Sequence, residues 1–212
     1  MASKNTEKRA KSMDTKTITF VLMMGALGTT LFAISYSVGQ IAPSVALDFS
    51  LVGAIIAGFY GGPVLGFISG LFVGILPGFM FGPLGLGGLF GLFGLPFGKA
   101  LSGLSSGLIA KGLGLGQRQR SSLIAVPATL LAYVPESLFT WVYFMILSGF
   151  ESGSAVFLTF ILPKALLEVS IISVLMSALV GNKGFSDFMR GRFAKTSLGE
   201  KSIPEYQEIE IP

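Results

Sequence analysis

The chain has no cysteine and no histidine, and only 12% of its 212 residues are charged. Without them it lacks the commonest general base, the commonest zinc ligands and every thiol nucleophile. Zinc chemistry, Cys–His or Ser–His catalysis and disulfide stapling are therefore excluded. Scarce charge excludes more, because a soluble domain normally carries about 25% charged residues. What is present is apolar: 51% hydrophobic residues and 29 glycines, with a mean hydropathy of +0.75. Such a composition reads as a polytopic membrane protein whose function rests on very few polar groups. Neither a metal nor another cofactor is expected.

Residues 49–98 form one run of fifty uncharged residues, more than one crossing at roughly twenty residues each. Breakers divide it at Gly61-Gly62-Pro63, where Pro63 suits the first turn of a new helix, and across Pro77 to Gly88. The expected architecture is an all-α bundle of six transmembrane segments at about 17–37, 49–61, 63–80, 88–110, 122–147 and 155–181. The domain plan is a basic tail over 1–16, the bundle over 17–181 and a second tail over 182–212. The start does not read as a secretory signal, because residues 1–16 are polar and the apolar stretch after them continues without an Ala-x-Ala-type cleavage site. Orientation follows from Lys and Arg. Five lie in the first tail, Lys111, Arg118 and Arg120 follow the fourth segment, and Lys183, Arg190, Arg192, Lys195 and Lys201 lie in the second tail. These are 13 of the 15, and six segments put all of them on one side, which is the cytoplasm by the positive-inside rule. The outer connections, 38–48, 81–87 and 148–154, then hold no Lys or Arg. Basic side chains at the inner leaflet suit anionic lipid; nucleic acid is not an expected partner.

Glycine recurs every fourth residue at 58, 62, 66, 70, 74, 78 and 82. Four residues advance a helix by about 400°, so Gly66, Gly70, Gly74 and Gly78 form a slowly drifting groove on the third segment. Close packing of a neighbouring backbone is one use of such a groove. A glycine-zipper pore is another, although the row lacks the polar lining that a pore needs.

Ionisable groups inside a bilayer are costly and default to functional candidates. They are Lys99 in the fourth segment, Glu136 in the fifth, and Lys164 and Glu168 in the sixth, with Asp48 at the outer mouth of the second. Lys164 and Glu168 are spaced i,i+4, so they share a helical face and can pair. Glu136 follows Pro135, whose ring frees backbone carbonyls, and Tyr133, Trp141 and Tyr143 flank it. Structural pairing of acids with bases is one reading of this set. The other is an outward-facing pocket for a small polar ring compound, with Glu136, Lys164, Glu168, Lys99, Trp141, Tyr133 and Asp48 as its contacts. For Trp141 and Tyr143 an interfacial aromatic belt is an equal alternative.

Leu47-Asp48-Phe49-Ser50, the Ala57 to Gly66 stretch with its Gly-Pro-x-x-Gly opening, Val134-Pro135-Glu136, and Leu162-Pro163 followed by Leu166-Leu167-Glu168 resemble the substrate-binding S components of energy-coupling-factor vitamin importers. The resemblance extends over the whole hydrophobic region, with each motif loose. It implies six helices with both termini cytoplasmic, capture of a vitamin-like molecule at the outer face under the connection between the first two helices, and assembly with a transmembrane coupling protein and two ATPases. The family's Ala-x-x-x-Ala docking pattern on the first helix is met here by Gly25, Thr29 and Ala33 and by Ala26 and Thr30, which are small but not the alanine pair. The chain carries no Walker-type phosphate loop, so ATP hydrolysis falls to a partner. A self-contained secondary transporter or small glycine-rich channel is the alternative, predicting transport without ATPases. An intramembrane enzyme is not expected, because the segments carry too few clustered carboxylates.

Overall fold

The computed structural model describes residues 15–38, 40–42, 45–85, 87–115 and 121–193. Helix α1 (Thr15–Val38) is followed by a two-strand ladder, β1 (Gln40–Ala42) against β2 (Val45–Ala46), antiparallel with Gln40 opposite Ala46. Then come α2 (Leu51–Gly61), α3 (Pro63–Phe81), α4 (Gly88–Leu113), α5 (Ser121–Ser148), α6 (Phe150–Val156), a π-helical turn (Phe157–Ile161), α7 (Leu162–Gly181) and α8 (Lys183–Phe193). Each of the six expected segments is helical, the last as the continuous run of α6, π turn and α7. Among the described residues four helices are long and apolar enough to cross a membrane: α1, α3, α5 and the 150–181 run. Large apolar side chains such as Leu22, Ile34, Phe93, Leu131 and Val174 point outward, whereas Ser102, Thr129 and Glu136 are buried. So apolar an exterior is the pattern of a lipid-facing surface.

Helix α2 is the exception in length. Eleven residues reach about 16 Å, roughly half of a bilayer core, and all but Phe59 are buried. An apolar run with no polar face is what a helix enclosed on every side requires. Its central position has a consequence for the residue before it. The connection that carries Asp48 descends into the bundle to start α2, so Asp48 does not stay at the outer mouth; it is half-buried, 2.7 Å from Lys99 Nζ.

The glycine row is the seam between α3 and α4. A Cβ on Gly70 would lie 2.5 Å from Lys99 O, and one on Gly78 would lie 2.9 Å from Leu92 O; Gly66 and Gly74 are blocked in the same way by Gly103 and Pro96. The backbone of α4 fills the groove, so this row has no lumen along it. The seam also fixes the height and rotation of α4, and through them the position of Lys99.

Residues 183–193 form a helix tied back onto the bundle: Tyr60 Oη and Ser186 Oγ lie 3.0 Å apart, Ser186 Oγ donates to Val180 O (3.1 Å), and Met189 is buried. Of the expected tails, Thr15 and Lys16 belong to α1, and 1–14 and 194–212 lie outside the described residues. Arg118 and Arg120 lie outside them too.

Candidate functional site

The five ionisable groups expected within or beside the segments converge from four elements. Lys99 stands eleven residues into α4, Glu136 fifteen into α5, and Lys164 and Glu168 in the first two turns of α7, which places all four at mid-height in the bundle. Lys99 Nζ lies 2.7 Å from Asp48 Oδ2 and 4.0 Å from Glu136 Oε1, and Lys164 Nζ lies 3.2 Å from Glu168 Oε1. The i,i+4 pair therefore forms as the spacing predicts.

Local chain chemistry sets each group. Asp48 Oδ1 accepts the Ser50 N–H (2.9 Å), closing an Asx-type turn that opens α2 and sets a carboxylate at its amino end. The Asp48 N–H donates to Glu168 Oε1, which links the connection to α7. Burial opposes the Asp48 charge, but the Lys99 ammonium beside it, the Lys164 charge and the hydrogen bonds from Lys99 and Ser50 outweigh burial and hold its carboxyl below the usual carboxylate range. Glu136 Oε2 accepts the Ser102 hydroxyl at 2.6 Å. Ser102 follows Lys99 by three residues, so the two share a face of α4 and reach Glu136 together. Ahead of Lys164, the π turn inserts one residue into the helical ladder; it turns the following residues by about 100° relative to an unbroken α-helix. Lys164 Nζ also lies 5.9 Å from the centroid of the Phe81 ring, within cation–π range.

These groups, with Leu51, Val169 and Ile172, form the inner end of a cavity of about 620 Å³, inside the size range of small-molecule sites. Asp48, Lys99, Tyr133, Glu136, Lys164 and Glu168 all line it. From mid-bundle the cavity extends to the helix ends that adjoin the connections 38–48, 81–87 and 148–154, where Tyr36, Leu84, Gly87 and Leu147 line it. Its wall is aromatic: Phe81, Phe139, Tyr143, Phe144 and Phe160 contribute, with Tyr143 Oη hydrogen-bonded to Gly87 O (3.4 Å).

Of the expected contacts, Trp141 is the one set apart. It does not line the cavity; its Nε1 donates to Ser154 Oγ (3.3 Å), across the contact between α5 and α6. Tyr143, two residues on, falls on the cavity side. Sequence reasoning overlooked Ser102, for which the i,i+3 spacing from Lys99 was an available signal, and Tyr36, Phe81 and Phe139, which only tertiary packing brings in.

The small residues expected on α1 lie on a separate, outward surface. Ala26, Thr30 and Ala33 are exposed and Thr29 is half-buried. Gly25 is buried: a Cβ there would lie 3.0 Å from Phe72 Cβ, so it lets α1 and α3 approach closely. Gly25, Ala26 and Thr29 with Leu22, Phe72 and Ile75 line a shallow groove of about 250 Å³. Among the described residues no group of three or more acidic side chains is arranged to hold a metal ion.

Comparison of the chain with protein-family models, with curated proteins and with solved structures finds no match in any of the three.

Proposed function

We propose that this chain is the substrate-capture subunit of an energy-coupling-factor type importer in the cell membrane, binding a vitamin-like small molecule from the outer face. The observation that carries this reading is the cavity: one space of about 620 Å³ whose inner end gathers the mid-membrane charges and whose wall is aromatic. Charged groups serving only to neutralise one another gain nothing from bordering such a space. A ligand site needs both, a few polar groups to orient the molecule and apolar walls to surround it.

In the same reading the chain crosses the membrane six times with both termini cytoplasmic. Its basic residues then face the inner leaflet, and the cavity extends to the outer end. The outward surface of α1 is the docking face for the transmembrane coupling protein: Ala26 and Thr29 border the groove against α3, floored by Gly25, and Thr30 and Ala33 continue the small-residue surface along the helix. Two ATPase subunits supply the energy for release inward.

The experiment is direct. The chain is purified in mild detergent, denatured, and the released small molecules are identified by mass spectrometry. The proposal expects one molecule at near-equimolar amount; repeated recovery of none, together with no association with a coupling protein, overturns it.

A further inference from the structure

The charges of the cavity do not sum to zero. Three carboxyl groups, Asp48, Glu136 and Glu168, stand against two amino groups, Lys99 and Lys164; with every group in its charged form, one negative charge is in excess. Distance decides where it resides. Lys99 is committed to Asp48 at 2.7 Å, and Lys164 to Glu168 at 3.2 Å. Glu136 is left with the Ser102 hydroxyl on Oε2 at 2.6 Å, while its Oε1 lies 4.0 Å from Lys99, beyond hydrogen-bond reach. The residue is only 8% exposed, and it lines the cavity. Among the described residues, no donor is within hydrogen-bond distance of that oxygen. That oxygen is free to accept a donor from the cavity that Glu136 lines, and its open side is the ligand space.

We propose that the cavity selects a cation: a flat, ring-bearing molecule with one positive charge, whose ammonium or charged ring N–H is held by Glu136 Oε1. This rests on the capture reading above and narrows its substrate class. One positive charge brings the cavity to neutrality; one negative charge takes it to an excess of two, in surroundings of low dielectric where that excess is poorly screened. Neither ammonium offers an anion a vacant partner, because each already lies within ion-pair distance of a carboxylate. A divalent metal is disfavoured by Lys99, whose Nζ stands between Asp48 and Glu136 where a bridging ion would sit. Tyr133, Phe139 and Tyr143 line the same space, and aromatic rings attract cations.

The test uses the full chain in lipid nanodiscs with two probes of the same ring and opposite charge, 2-naphthylmethylammonium and 2-naphthoate, with binding measured by equilibrium dialysis. The ammonium is expected to bind at least about tenfold more tightly, which is about 1.4 kcal/mol. Glu136→Gln, nearly isosteric, is expected to weaken the ammonium about tenfold without improving folding or impairing it in thermal unfolding. Glu168→Gln serves as a second variant: by releasing Lys164 it is expected to tighten the carboxylate probe. Equal binding of the two probes, preference for the carboxylate, or an ammonium affinity unmoved by Glu136→Gln overturns the proposal. If neither probe binds, the charge of the molecule released from the purified chain decides: a cation supports the proposal, a neutral molecule or an anion overturns it. Anion preference leaves the capture reading standing, whereas no binding of either probe together with no released molecule removes both.

Discussion

At Lys99 a single ammonium separates two carboxylates that would otherwise face each other in a buried space. Removing one partner of a buried ion pair leaves the other uncompensated, which costs about 3–5 kcal/mol. Lys99→Met is therefore expected to lower the thermal unfolding temperature in detergent sharply. The double variant Lys99→Met with Asp48→Asn is expected to recover part of the loss, because it removes the stranded charge as well; a double variant no more stable than the single one contradicts the pairing. Asp48 also gives a pH dependence with a definite sign. Its carboxyl is held below the usual carboxylate range by Lys99, Lys164 and the hydrogen bonds against the opposing effect of burial. A lowered folded-state value means that its contribution to stability is fully present above the unfolded value, about 3.9, and fades as pH falls through the folded one. The gap in unfolding temperature between the wild-type chain and Asp48→Asn is expected to be constant near neutral pH and to close only as the pH falls below about 4.

Between elements, the seam of α3 and α4 sets the position of the site. Gly70→Ala places a methyl 2.5 Å from Lys99 O and 2.6 Å from Ala100 Cα, atoms of backbone that cannot yield. It is expected to destabilise the bundle by about 1–3 kcal/mol and to weaken ligand binding by displacing Lys99. Gly112→Ala, on the same helix with open space around it, is expected to be neutral or stabilising by up to about 1 kcal/mol. Residue spacing alone accounts for part of this arrangement. The glycine row at i,i+4 spacing announced close packing, and the Lys164–Glu168 spacing announced a pair. The convergence of Asp48, Lys99 and Glu136 was not legible in the sequence, because it depends on α2 being half a bilayer long and enclosed, so that the connection before it enters the bundle. A run of apolar residues has the same appearance whether it ends at the membrane surface or in the middle. Trp141 failed for a related reason. Residues 141 and 143 are about 200° apart on α5, and without knowledge of its neighbours neither face could be assigned to the cavity.

For the whole molecule, the proposed topology and the proposed division of labour can be tested separately. The absence of native cysteine makes every introduced cysteine a single reporter. In intact cells, a membrane-impermeant maleimide is expected to label Glu151→Cys in the first turn of α6 and to leave Lys111→Cys at the end of α4 unlabelled until the membrane is opened; the reverse pattern contradicts the six-span orientation. Proteoliposomes holding this chain alone are expected to accumulate none of the molecule it binds, since the proposed division of labour assigns energy and release to partner subunits. The central claim, that the charged aromatic cavity is where a small molecule is captured, is tested most directly by binding of the molecule released from the purified chain to refilled wild-type protein and to Glu136→Gln. One site per chain is expected in the wild type, with an affinity lower by about tenfold or more in a variant that unfolds at the same temperature, in keeping with loss of a buried charged contact. Equal affinity for the two proteins, or no saturable binding to the wild type, would contradict it.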